Sequence, residues 1–168
     1  MQRVVFVQEL NSKAANAWRH MTEDQIYAGL VEAGIAFEKL EHMAVFTGDE
    51  SDAVHRDLPA AHTKNLFLKG KKGNFWLIDL PSDRRADLKE MAETLGAGKF
   101  SFAKPAEMEQ LLRVTPGSVT PLAACNAPPG TVRVVFYAGF RSSDRIAVHP
   151  LRNTATIALA FGDLVAWL

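Results

Sequence analysis

Residues 65–80, NLFLKGKKGNFWLIDL, constrain the fold more than any other stretch of this chain. Two apolar runs are joined by the turn-forming KKGN, the pattern of a β-hairpin. Apolar residues occupy both strand parities, Leu66 and Leu68 against Phe67, then Phe75 and Leu77 against Trp76 and Ile78. A strand that is apolar on both sides has to be covered on both sides. The hairpin is therefore expected as the central pair of a sheet.

The flanking segments mix helix and strand signals. Thr22 with Gln25 resembles a capping box, and Ile26, Leu30 and Ala33 repeat at helical spacing up to Gly34. Residues 37–47 lack a helical period and read as extended, with a helix over 51–58 closed by Pro59. Arg84 to Leu95 reads as a helix ended by Gly96, and Pro105 to Leu112 as another with acidic residues at its start. TVRVVFYAG, RIAVHP and TATIALA are three short β-branched runs, and Asp163 to Leu168 forms a last helical turn. No βαβ rhythm repeats, so the expectation is an α+β single domain with a mixed or antiparallel central sheet flanked by helices. The opening residues, 1–20, are set apart as an N-terminal extension of uncertain role, although VVFV has the makings of a short strand. The domain proper is placed at 21–168.

The chain has 168 residues, 48% of them hydrophobic, which suits one domain. Lys+Arg 19 balances Asp+Glu 19, so contact with nucleic acid requires a local basic patch rather than a basic chain. A DNA-binding regulator finds no support, since no helix-turn-helix reading emerges. Neither GxGxxG nor GxxxxGK[ST] is present, which removes the dinucleotide and P-loop readings. The five histidines, His20, His42, His55, His62 and His149, are scattered without close ligand spacing, and no metal or cofactor is expected. The single Cys125 reads as a small buried hydrophobe. No apolar run approaches a membrane span and the N-terminus lacks signal-peptide character, so the expected setting is the cytoplasm.

Three segments can carry chemistry. Lys64 opens the central strand in HTKNLFL, where a held lysine serves as a fixed cation or, partly buried, as an amine of lowered pKa. A solvated strand-end lysine is the plainer reading. Asn65 points to the opposite face in an ideal strand, so the two share a site only if the strand start is irregular. TPGSVTPL, with Gly117 and Pro121 bracketing Ser118, can expose backbone N–H groups to a developing oxyanion, or can be a simple connector. HPLRN, from His149, joins two strands, and its histidine can order water or a ribose hydroxyl or just bond to backbone.

Taken together, a lysine at the head of the central hairpin, a GxxxP loop and an HPxxN turn resemble the YbaK/prolyl-tRNA synthetase-associated editing domains. The resemblance runs from about Thr22 to Leu168, includes EHMAVFTGDE, and is nearest the free-standing alanyl-tRNA(Pro) deacylase branch. It implies a trans-editing hydrolase that cleaves the ester of mischarged Ala-tRNA(Pro), needed because a proline site rejects a smaller amino acid by only a few kcal/mol. It maps the family's functional residues onto Lys64, Asn65, Gly117, Pro121 and His149. It also implies that the terminal ribose hydroxyl of the tRNA helps to activate the water.

On that reading Val45, Phe46 and Leu66 form an apolar wall selecting a small side chain, and Ser118 lies in the substrate loop. Lys69, Lys71, Lys72, Arg84 and Lys99, with Arg85 and Lys104, are the candidates for acceptor-stem phosphates. The partners expected are the mischarged tRNA(Pro) acceptor end and prolyl-tRNA synthetase, with neither DNA nor membrane. A cysteine-removing enzyme of the same fold and a silent tRNA- or synthetase-binding module are the alternatives.

Overall fold

The hairpin is present and central. The computed structural model describes residues 4–8, 20–44, 54 and 56–168. Its elements in chain order are β1 (Val4–Gln8), α1 (Glu23–Glu32), β2 (Phe37–Glu41), β3 (Ala61–Gly70), β4 (Phe75–Pro81), α2 (Leu88–Thr94), β5 (Phe100–Phe102), α3 (Pro105–Leu112), β6 (Val132–Tyr137), β7 (Arg145–Val148), β8 (Ala155–Ala160) and α4 (Phe161–Trp167). Short 3₁₀ turns lie at Pro121–Asn126 and Ala138–Ser142. The sheet order is β1-β6-β4-β3-β7-β8-β2, with β5 also paired to β3. The pairs β4–β6 and β3–β7 are parallel and the others antiparallel, so the sheet is mixed.

Both sides of the hairpin are covered, as its two apolar parities require. Phe67, Leu77, Val134 and Phe136 pack with Ile26 and Leu30 of α1, Leu112 of α3 and Leu164 of α4. Leu68, Trp76, Ile78, Leu80 and Val135 pack on the opposite side with Met91 and Ala92 of α2. The hairpin turn needs Gly73 in the left-handed region, at φ 84°, where a Cβ would be strained. Thr22 caps α1 in a full capping box with Gln25.

Several expectations shift. The helix expected from Arg84 starts at Leu88, because Asp87 accepts from the backbone N–H groups of Lys89 and Glu90 and fixes the N-terminus there. β3 begins at Ala61, so Lys64 lies inside the strand instead of opening it. Of the helix expected over 51–58, Val54, Arg56 and Asp57 are helical, Leu58 is not, and 51–53 and 55 lie outside the described residues. The VVFV run falls in β1, which pairs antiparallel with β6.

One feature of β3 positions everything that follows. Along the edge away from β4, β7 pairs only with Ala61 and His62, and β5 only with Leu68 to Gly70. Between these contacts no described strand pairs with that edge. Among the described residues the sheet therefore has a break beside Lys64, Asn65 and Leu66.

Candidate functional site

Strand alternation sorts the residues around the break. Lys64 shares the face of Leu66 and Leu68, and Asn65 the face of Phe67, as the two cores on either side show. The two site residues thus lie on opposite faces of a regular strand. Lys64 is half-buried, and its ammonium group has no hydrogen bond or ion pair with a described residue. Lys39, Lys69, Arg145 and Arg152, in contrast, are all paired with carboxylates.

The parallel register of β3 and β7 sets His62 beside Ala147 and ends there, and His149 follows directly after β7. Val148 pairs with Ile157, so the next step sets His149 beside Thr156 on β8. His42, just past β2, completes the row: its Nε2 is 2.9 Å from Thr156 Oγ1, and its ring centroid is 6.4 Å from that of His149.

In both imidazoles Nδ1 is a donor, because a carbonyl can only accept: His149 Nδ1 donates to Ala155 O at 2.9 Å and His42 Nδ1 to Met43 O at 2.7 Å. Burial, opposed by the bond to Ala155 and aided by the neighbouring His42, holds His149 below the usual histidine range, so at neutral pH it is uncharged and its Nε2 is an acceptor.

The HPLRN turn is held from outside. Arg152 donates to Glu23 at 2.7 Å, to Glu41 at 2.7 Å and to Thr154 at 2.7 Å, tying the turn to the start of α1 and the end of β2. The bond from Arg152, with one from Lys39, lowers the Glu41 carboxyl to about 2. Leu151 adopts φ 72°, a strained conformation for a residue with a branched side chain, which the Arg152 anchor helps to maintain.

The GSVTP loop meets this turn. A Cβ on Gly117 would lie 3.6 Å from Asn153 Nδ2, and its φ of 90° favours glycine. Ser118 is buried and its N–H donates to Thr115 O at 3.0 Å, so that amide is committed to the loop itself. The N–H of Gly117 has no such bond among the described residues. Pro121 begins the 3₁₀ turn and is buried.

Leu66 packs against the α2-side core on the lysine face. Val45 and Phe46 lie outside the described residues. Among the basic candidates, Lys69 is paired with Glu107 at 2.6 Å and lies over the Phe75 ring, and the Arg84 guanidinium stacks 4.3 Å from the Tyr137 ring centroid. Lys71, Lys72 and Lys99 are exposed near the hairpin tip. Cys125 is half-buried in the 3₁₀ turn, and burial pushes its thiol up to about 12. Among the described residues no group of three or more His, Cys, Asp or Glu side chains is placed to hold a metal ion. No helix among them is long and apolar enough to cross a membrane.

Sequence reasoning missed two residues. His42 reads as one more scattered histidine until β2 and β8 bring it to His149. Asp79 reads as the lone polar residue of an apolar strand, yet it is fully buried directly opposite Asn65.

Residues 42–166 match the aminoacyl-tRNA editing domain family, and the chain belongs to it. It is 33% identical over 140 residues to the prolyl-tRNA editing protein ProX of Acetoanaerobium sticklandii, covering 83% of this chain and 85% of that one. It is 37% identical over 150 residues to the prolyl-tRNA synthetase associated domain-containing protein 1 of Xenopus laevis, covering 86% and 88%. The crystal structure of hypothetical protein APE2540 shares the fold, with a TM-score of 0.68 at 20% identity over 84% of this chain and 92% of that one.

Proposed function

We propose that this protein is a trans-editing deacylase that hydrolyses the ester of Ala-tRNA(Pro). The observation that carries the reading is Lys64: a half-buried ammonium group without a carboxylate partner among the described residues, beside a break in the described sheet. An unpaired cation at such a place suits an anionic ligand, and the terminal phosphate of a tRNA acceptor end is one. The family membership and the names of the relatives support the same class of substrate.

An aminoacyl ester is already activated, so the work is to place it, hold a water and stabilise the oxyanion. The Gly117 N–H is the donor for the carbonyl oxygen, since the Ser118 N–H is committed to Thr115. His149 Nε2 accepts from the water or from the terminal ribose hydroxyl, and Lys64 anchors the phosphate. Val45, Phe46 and Leu66 supply the apolar wall. Lys71, Lys72 and Lys99, exposed at the hairpin tip, serve the acceptor stem, whereas Lys69 and Arg84 are engaged within the protein. The hairpin tip stands about 20 Å from Lys64, six strand residues at roughly 3.3 Å each. That separation lets the tip touch the stem while the acceptor end reaches the break.

Hydrolysis of a panel of mischarged tRNAs by trace enzyme tests the assignment. Ala-tRNA(Pro) is expected to turn over fastest, ahead of Cys-tRNA(Pro), with correctly charged Pro-tRNA(Pro) spared. Preference for the cysteinyl ester would move the protein to the cysteine-removing branch, and no turnover of any ester would make it a binding module.

A further inference from the structure

Asn65 and Asp79 present an accounting problem that ordinary protonation states do not solve. They are directly opposed in the antiparallel register of β3 and β4. The backbone bonds of this pair fall on even residues of β3, as Ser82 N to His62 O and Gly70 N to Asn74 O show. Asn65 and Asp79 therefore form a non-hydrogen-bonded pair, the kind in which facing side chains approach most closely. Asp79 is fully buried, and both of its carboxyl oxygens are without a hydrogen-bond partner, as is Asn65 Oδ1. Facing acceptors of this kind are costly in a dry environment unless a proton lies between them.

We propose that Asp79 is a positioning residue of the site: as a protonated acid it donates its O–H to Asn65 Oδ1, turning the Asn65 NH2 group toward the break in the sheet. One proton then satisfies two buried acceptors. The amide can no longer flip, and its two N–H donors stand on the side of β3 away from β4, where β7 and β5 leave the edge uncovered. An NH2 group fixed there is suited to hold a carbonyl or hydroxyl oxygen of the ligand.

The surroundings keep the acid neutral. From β3 the residues on this face are Thr63, Asn65 and Phe67, and from β6 they are Val134 and Phe136. The 3₁₀ turn packed on β4 contributes Leu122 and Ala123 with one titratable group, the Cys125 thiol, bonded to Leu122 O. None of these is charged at neutral pH, and burial alone holds the Asp79 carboxyl well above the ordinary carboxylate range.

The catalytic side of this inference rests on the deacylase reading, so the test has a readout that does not depend on activity. Infrared difference spectra of wild type against Asp79→Asn should show the carbonyl stretch of a protonated carboxylic acid at neutral pH. The Asn65 side-chain NH2 resonances should be sharp in wild type and Asp79→Asn, whose amide can donate in place of the acid, but averaged in Asp79→Leu. In deacylation, Asp79→Leu should lower kcat about ten- to a hundredfold with little change in KM, as misplacement of a binding group does. Asp79→Asn should recover most of that loss and remove an alkaline decline present in wild type. A carboxylate band at neutral pH, or an acidic instead of an alkaline decline, overturns the proposal. So do Asn65 resonances indifferent to Asp79→Leu. Wild-type protein that shows the acid band and the ordered amide but hydrolyses no ester refutes the deacylase reading and leaves this inference standing.

Discussion

Lys64→Ala is expected to lower kcat/KM for Ala-tRNA(Pro) about ten- to a hundredfold, the range for losing one charge-assisted contact, here to the acceptor-end phosphate. The fold should survive. Lys64 is half-buried and bonds to no described residue, so its truncation leaves no buried group unpaired. A surface-type change in a strand costs about 1 kcal/mol or less. The pair of measurements that checks this is single-turnover deacylation and a thermal melt. Undiminished hydrolysis would end the assignment of Lys64. A collapsed melt would show instead that its role is structural.

The second large effect concerns stability. Asp79→Asn is expected to become progressively more stable than wild type as pH rises above about 4. The sign follows from proton counting. An aspartate in the unfolded chain loses its proton near pH 3.9, whereas burial keeps that of Asp79 bound well above this. Over the interval between the two values the folded state holds one proton more than the unfolded state. Wild-type stability therefore falls by about 1.4 kcal/mol per pH unit on this account, levelling off once the folded acid ionises. The asparagine variant lacks that slope. Glu23, Glu41 and Glu107 titrate the other way, since their lowered carboxyls stabilise above the ordinary carboxylate range and lose that contribution on acidification. They are common to both proteins and cancel in the difference. Urea melts of both proteins from mildly acidic to mildly alkaline pH give the curve directly. A difference that is flat, or that grows toward acid, would mean Asp79 is a stabilised carboxylate.

The central hairpin was legible because apolar residues on both parities leave a strand few places to go, and Thr22 with Gln25 marked the start of α1 by a local bond. What was not legible depends on partners distant in sequence. β5 is three residues long, too short for any period, and exists because β3 offers it an edge. α2 starts late because Asp87 outcompetes the preceding arginines as a cap. Lys69 reads as a free cation until Glu107 of α3 folds against it. In the site, the approach of Gly117 to Asn153 of the HPLRN turn depends on the fold and cannot be read from either segment alone. Asn65 faces Asp79 only through strand register, and His42 joins His149 only because β8 lies between β2 and β7.

The only cysteine in the chain has a consequence for handling the protein. With its thiol raised from about 9 to about 12, Cys125 carries roughly a thousandfold less thiolate than a free cysteine at the same pH. An alkylating reagent should therefore leave folded molecules almost untouched and mark those that have opened. The chain carries its own chemical clock for unfolding, without an engineered label.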